Sequence, residues 1–142
     1  NISVDDRDKY LLSKLNLKEL LETNFSAVRP EDSLRLLVRV ISISKRNTFP
    51  VVSKDGVLVS LVHLDNIREL IFNAKIYDTT LVKDLMTEPH AVDFHDNLHT
   101  ILKKFDETRQ WNLPVVKDKL YIGFLSKARI LSEYRTELMK TI

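Results

Sequence analysis

A tetrapeptide that occurs twice limits what this chain can fold into. Phe49-Pro50-Val51-Val52 returns as Leu113-Pro114-Val115-Val116, a shift of 114 − 50 = 64 residues. The same shift carries Val28 onto Val92, Leu34 onto Leu98, Leu37 onto Ile101, Val38 onto Leu102 and Ile41 onto Phe105. It also carries Leu17 onto Leu81 and Leu21 onto Leu85. Apolar positions fall on apolar positions each time, which marks a tandem of two similar units.

Each unit reads β-α-β-β-α. In the first, Phe25 to Val28 is a short strand, and Asp32 or Ser33 is placed to cap the helix that follows. Leu34, Leu37, Val38 and Ile41 recur at helical spacing and share one face; the helix ends near Ser44. Phe49 to Val52 is a strand in which Pro50 implies an edge or strand-start position. Lys54-Asp55-Gly56 signals a hairpin turn, Val57 to Val62 returns, and a helix follows from Leu64 to about Asn73. The second unit repeats this order. It has a short helix over Leu81 to Met86, a strand at Ala91 to Phe94 and a helix through Leu98, Ile101, Leu102 and Phe105. Strands at Leu113 to Val116 and Leu120 to Leu125 flank a turn at Lys117-Asp118-Lys119, and a last helix runs from Lys127 to Met139. Past the first turn the register slips by one, so Ser60 matches Gly123. The expected fold class is α+β, with two units related by pseudo-twofold symmetry. Residues 1–16 are a linker and short lead-in helix, 17–75 the first unit and 79–139 the second. A unit of about 60 residues is marginal alone, so the pair is expected to share a core.

Composition removes several classes of function. The 22 Lys and Arg residues nearly balance the 20 Asp and Glu, for a net charge of +2, so there is no basic footprint and no nucleic-acid partner is expected. There is no cysteine, which rules out disulfides and thiolate metal sites. No apolar run approaches the ~20 residues needed to cross a bilayer. The chain starts at Asn1 without methionine, which reads as a segment of a longer protein. No Ser-His-Asp or paired-carboxylate pattern stands out, and two glycines are too few for a phosphate-cradling loop, so a non-catalytic module is expected.

The repeated β-α-β-β-α unit, with its Pro-Val-Val strand and its apolar-Gly-apolar return strand at Ile122-Gly123-Phe124, resembles the CBS domain. Two in tandem resemble a Bateman module. Longer strings narrow the likeness: Ser44-Lys45-Arg46-Asn47-Thr48-Phe49-Pro50-Val51, Leu64-Asp65-Asn66-Ile67-Arg68-Glu69, Trp111-Asn112-Leu113-Pro114-Val115 and Tyr121-Ile122-Gly123-Phe124-Leu125-Ser126-Lys127. They resemble the cytosolic CBS pair that follows the membrane part of bacterial CLC chloride channels and transporters. The resemblance implies a regulatory tail on the cytoplasmic side of the cell membrane. Its partners would be the membrane-embedded chloride channel domain of the same chain and a second copy in a homodimer. The helices closing each unit would supply the dimer contact through Ile67, Ile71, Phe72, Ile130, Leu131 and Tyr134. A ligand-free dimerisation domain, or the sensor module of another transporter or enzyme, is the alternative.

The resemblance also implies an adenine nucleotide (ATP, ADP or AMP) in the cleft between the units, with Val28, Phe49, Pro50, Val92, Leu113 and Pro114 lining the ring. In the family pattern a Ser or Thr after the Gly reaches phosphate, and an Asp three residues later holds the ribose, since a carboxylate can accept from both hydroxyls. Here those positions hold His63 and Asn66 in the first unit and Ser126 and Arg129 in the second. Neither keeps the Asp; Arg129 is suited instead to a phosphate.

Three other features invite chemistry. His90, His95 and His99 lie near Asp93 and Asp96, but the expectation is a solvated helix start and no metal. Trp111 is expected to be a half-buried anchor rather than a base-stacking platform. The pairs Lys45-Arg46 and Lys103-Lys104 suit helix ends, or an anionic lipid surface.

Overall fold

A computed structural model describes residues 10, 11, 13–23 and 26–140. The expected linker over 1–9 and the start of the Phe25 strand lie outside the described residues. Among those described, no helix is long and apolar enough to cross a membrane.

The chain divides into two compact units that interleave in sequence. Unit I holds Asn24–His90 and the short piece Asp118–Tyr121. Unit II holds Ala91–Lys117, the chain from Ile122 onward, and the segment that ends at Thr23. This partition cuts across the sequence repeat of 17–75 and 79–139. The physical reason is where the opening leucines go. Leu20 is buried in a core with Val92, Ile101 and Phe105, and Leu17 and Leu21 pack on that core. Val82 is buried with Leu34, Leu37 and Phe49, and Leu85 packs beside it. The opening turn of each repeat therefore completes the core built by the other.

In unit I, α2 spans Leu34–Ile43, β1 Thr48–Val52, β2 Leu58–His63 and α3 Leu64–Ile67. Ser33 caps α2 by accepting from the Leu36 amide, as its position ahead of the apolar stripe predicted. Strands β1 and β2 are antiparallel, with Pro50 opposite Leu61 and Val51 opposite Ser60. The helix expected over Leu64 to Asn73 is shorter. After α3 the chain continues as 3-10 turns at Leu70–Phe72 and Ala74–Ile76. The segment expected as a helix at Leu81 to Met86 is a 3-10 turn over Val82–Asp84.

In unit II, α1 is the single turn Leu17–Leu20, capped by Asn16. Strand β3 is Val92–Asp93, α4 Leu98–Thr108, β4 Asn112–Lys117, β5 Leu120–Ser126 and α5 Lys127–Lys140. Strand β3 runs parallel to β4, and β5 is the other hydrogen-bonded neighbour of β4. Asn97 caps α4 through the Thr100 amide, and Arg109 ends it in the left-handed conformation (φ 57°). The first hairpin turns through Lys54, Asp55 and Gly56, the second through Asp118 and Lys119 with φ of 53° and 71°. The second is the two-residue turn whose twist suits strand pairing. The one-residue difference between the turns accounts for the slip between Ser60 and Gly123.

Pro50 lies inside β1 rather than at its start. Its carbonyl accepts from the Val28 amide at 2.9 Å, and Val28 in turn accepts from Val52 at 2.8 Å. A strand residue points its N–H and C=O to the same side, so the missing N–H faces the Val28 side and the β2 ladder loses nothing.

The second strand of each hairpin meets a backbone carbonyl at close range. In unit II, Glu22 and Phe124 exchange two backbone hydrogen bonds of 2.8 Å. A Cβ on Gly123 would lie 2.6 Å from the Glu22 carbonyl oxygen and 3.0 Å from Leu21, and Gly123 has φ of 152°. In unit I the matching residue is Ser60, 3% exposed, whose hydroxyl donates to the Thr87 carbonyl. One unit leaves the space empty; the other fills it with a donor.

Two consequences can be measured by chemical denaturation. Gly123→Ala forces the Glu22 strand away and should cost about 1–3 kcal/mol or more. Ser60→Ala leaves the Thr87 carbonyl short of a donor and should cost about 1–2 kcal/mol. Equal midpoints for Gly123→Ala and the parent chain would refute the close approach.

Candidate functional site

The residues implicated by sequence divide between surface and interior. Val28 (2%), Phe49 (1%), Val92 (0%) and Leu113 (1%) are fully buried, and Pro50 and Pro114 are buried with them. Their side chains fill the two cores. This corrects the expectation that they form an accessible sandwich for a ring. A strand covered on both faces buries successive residues, as β1 and β4 do.

In unit I, His63 ends β2 and stands at the N-cap of α3 without making a side-chain cap. Its Nδ1 lies 3.3 Å from the Thr48 hydroxyl. Partial burial pushes its pKa below the ordinary value, and nearby His90 adds to this while Asp65 opposes it. Asn66 is exposed on α3. At the other end of the unit, the residues after α2 line an open cavity of about 500 Å³, made by Ser26, Ile43, Ser44, Lys45 and Arg46. The Ser44 hydroxyl accepts from the Arg46 amide at 3.0 Å and shapes this rim. The sequence marked Lys45 and Arg46 as a helix-end pair or a face for anionic lipid. Their position directly after an apolar helix was the available signal.

In unit II, Ser126 and Arg129 are engaged locally. The Ser126 hydroxyl accepts from the Arg129 amide at 3.2 Å, in the manner of an N-cap for α5. The Arg129 guanidinium donates to the Glu19 carbonyl at 2.9 Å. Around it, Lys14, Asn16, Glu19, Glu133 and Glu137 line a pocket of about 130 Å³. Three carboxylates there face two cations, so the pocket does not favour an anion. No sequence signal foretells the Arg129 bond, because its acceptor is a main-chain oxygen 110 residues away.

Trp111 is 63% exposed, which corrects its placement as a half-buried anchor. Lys127 lies over its ring at 5.1 Å and bonds Asp106 at 3.0 Å. The loop before α4 is tied internally: Asp93 accepts from the His95 amide and Asp96 from the Asp93 amide, and Lys104 pairs with Asp96 at 3.1 Å. Among the described residues no group of three or more His, Asp or Glu is arranged to hold a metal ion. Of the expected dimer contacts, Ile67 (2%) and Ile130 (0%) are spent in the cores, a correction to their assignment. Phe72 (82%) and Leu131 (41%) are exposed, while Ile71 and Tyr134 are half-buried.

The His63 environment sets a pH dependence. A base whose folded pKa lies below its unfolded value near 6.5 stabilises the fold while it stays neutral. That contribution is present above pH ~6.5 and is lost as pH falls through the folded pKa. Thermal melts between pH 7.5 and 5 should show the loss, and His63→Gln should flatten part of it; an unchanged slope in the variant would discount His63.

Residues 82–136 match the sequence profile of the CBS domain. Comparison with curated protein sequences returns no match. Among solved structures, a CBS domain protein from Streptococcus pneumoniae TIGR4 superposes with a TM-score of 0.79 at 17% identity, over 95% of this chain and 96% of that one. The CBS domain of a bacterial CNNM/CorC family Mg2+ transporter, solved with ATP, gives 0.76 at 14% identity over 91% and 93%. CBSX2, solved with AMP, gives 0.69 at 27% identity over 87% and 96%. Residues 82–136 thus resemble the CBS domain in sequence, and the chain as a whole has the fold of solved CBS-domain structures.

Proposed function

We propose that this chain is a non-catalytic regulatory module that binds an adenine nucleotide, with the phosphates held by the Lys45–Arg46 cavity of unit I. The carrying observation is that cavity, which brings two cations and two serines together on an open surface. Phosphate oxygens accept charge-assisted hydrogen bonds from such groups. The ATP and AMP bound by the CNNM/CorC-family domain and by CBSX2 support the ligand class. Half-buried His63 and exposed Asn66 offer donors of the same unit. Ser126 and Arg129 are second choices, since carboxylates of Glu19, Glu133 and Glu137 surround Arg129.

The parent is read as a CLC-type chloride channel or Cl−/H+ exchanger. The four strings that include Ser44 to Val51 and Trp111 to Val115 support this reading. The module would act from the cytoplasmic side by favouring one of two states of the membrane domain, through unequal affinity of the ligand for them. Two copies would pair through Phe72 and Leu131, the exposed apolar residues near the unit-closing helices. The parent polypeptide ahead of Asn1 tests the assignment. About ten or more apolar helices there support a channel; a soluble catalytic domain overturns it.

Thermal shift and calorimetry with ATP, ADP and AMP test the ligand. Millimolar nucleotide should raise the melting temperature. Lys45→Ala with Arg46→Ala should weaken binding roughly tenfold or more. No shift with any of the three favours the ligand-free structural reading. Light scattering should give twice the chain mass, and Phe72→Glu should return a monomer. A wild-type monomer at high concentration removes the homodimer.

A further inference from the structure

Helix α2 of unit I is apolar on two faces. Leu34 and Leu37 are buried, and Val38 and Ile41 pack on the same core. Helical spacing puts Leu36 and Ile43 on the opposite side, with half-buried Val40 at one border and exposed Arg39 at the other. Leu36 is 37% exposed and Ile43 78%. At the matching positions α4 has Thr100 and Glu107, with Lys103 and Lys104 at the borders. A helix face that meets only water is polar, as that of α4 is. The same stretch is segregated in charge. No Asp or Glu occurs between Asp32 and Asp55, and the 22 residues from 33 to 54 include five cations, Arg35, Arg39, Lys45, Arg46 and Lys54. The rest of the chain has 22 − 5 = 17 cations against 20 acids, a net charge of −3. Asp78 neutralises Arg35 through two hydrogen bonds, while Arg39 and Lys45 are exposed.

We propose that the outer face of α2 docks on an anionic bilayer surface, with Leu36 and Ile43 entering the headgroup layer and Arg39 and Lys45 pairing with acidic headgroups. This goes beyond the nucleotide reading and requires neither a bound nucleotide nor a particular parent protein. Exposed apolar side chains bordered by cations match a surface that is negative outside and apolar within. A second copy of the chain matches it less well. A twofold contact sets the same patch of both copies together, so cations meet cations, and residues 33 to 54 offer no acid to pair with them. Two apolar side chains and two cations make a shallow contact, so the docking is reversible and weakened by salt.

Vesicle flotation of the full chain, without nucleotide, tests this. Phosphatidylcholine vesicles with about 30% phosphatidylserine should carry the protein, pure phosphatidylcholine vesicles should not, and about 0.5 M NaCl should release it. Arg39→Glu should weaken binding roughly tenfold or more. Lys103→Glu, the same change of charge at the matching place on α4, should leave binding within about twofold. Because the chain has no cysteine, Leu36→Cys and Thr100→Cys can each carry a single environment-sensitive dye. On the acidic vesicles its emission should shift to the blue from position 36 and stay unchanged from position 100. Equal losses in Arg39→Glu and Lys103→Glu, or no blue shift from position 36, would overturn the proposal. So would a parent chain that ignores both vesicles and a Leu36→Asp variant that turns a dimer into a monomer in light scattering, which would assign the face to a second copy. Neither Leu36 nor Arg39 lines the Lys45–Arg46 cavity, so the nucleotide thermal shift of Arg39→Glu reads that site separately, and either proposal can fail alone.

Discussion

The close approach of one main-chain carbonyl to the second hairpin strand organises each half of this molecule. In unit II the Glu22 carbonyl comes so near Gly123 that no side chain fits between them. In unit I the Ser60 hydroxyl occupies the corresponding space and bonds the Thr87 carbonyl. The bridging segment in each case comes from the other repeat. Gly123 and Ser60 thus stand where an opening segment docks on each unit, the segments that also bring Leu20 and Val82 into the two cores. A buried carbonyl must be paired, and both solutions satisfy it: a strand pair in one unit, a side-chain donor in the other.

Much of this was legible in the sequence, for reasons that are physical. The Pro-Val-Val strands and the 3.6-residue stripes through Leu34 and Leu98 are local signals, and they place α2, α4, β1 and β4 within a residue or two. The cap at Ser33, one of two candidates with Asp32, follows the same local logic. The interleaving was not legible. Leu17 and Leu81 look alike in the repeat, and nothing local says which core each will enter. The helix expected after β2 breaks at Arg68 and Glu69 and the chain tightens into 3-10 turns, although Ile67, Leu70 and Ile71 keep helical spacing across the break. Side chains such as Phe49 and Leu113, read as site residues, proved to be core for the same reason that they were noticed: they are apolar and regularly spaced.

Electrostatics separates the two units as ligand surfaces. The cations after α2 stand with serines, whereas Arg129 stands among glutamates and gives its proton donors to a main-chain oxygen. An arginine at a position where the family pattern has an acid thus has a structural partner ready, and its presence does not require a ligand. Trp111 follows a similar rule. Lys127 caps its ring and Asp106 holds that lysine, so an exposed aromatic is stabilised by charge rather than by burial.

The interleaving of the units also has a consequence in time. Arg129 and Glu19 meet across 110 residues, and Glu22 and Phe124 across nearly as many. The first segment of unit II to leave the ribosome must wait for almost the last before either is paired. Unit I is close to complete once His90 has emerged, lacking only the Asp118–Tyr121 tip. Long-range pairing of this kind is slow, because the loop entropy is lost before the contacts form. Leu17 and Leu20 therefore emerge well before Val92, Ile101 and Phe105, the residues of the core they enter.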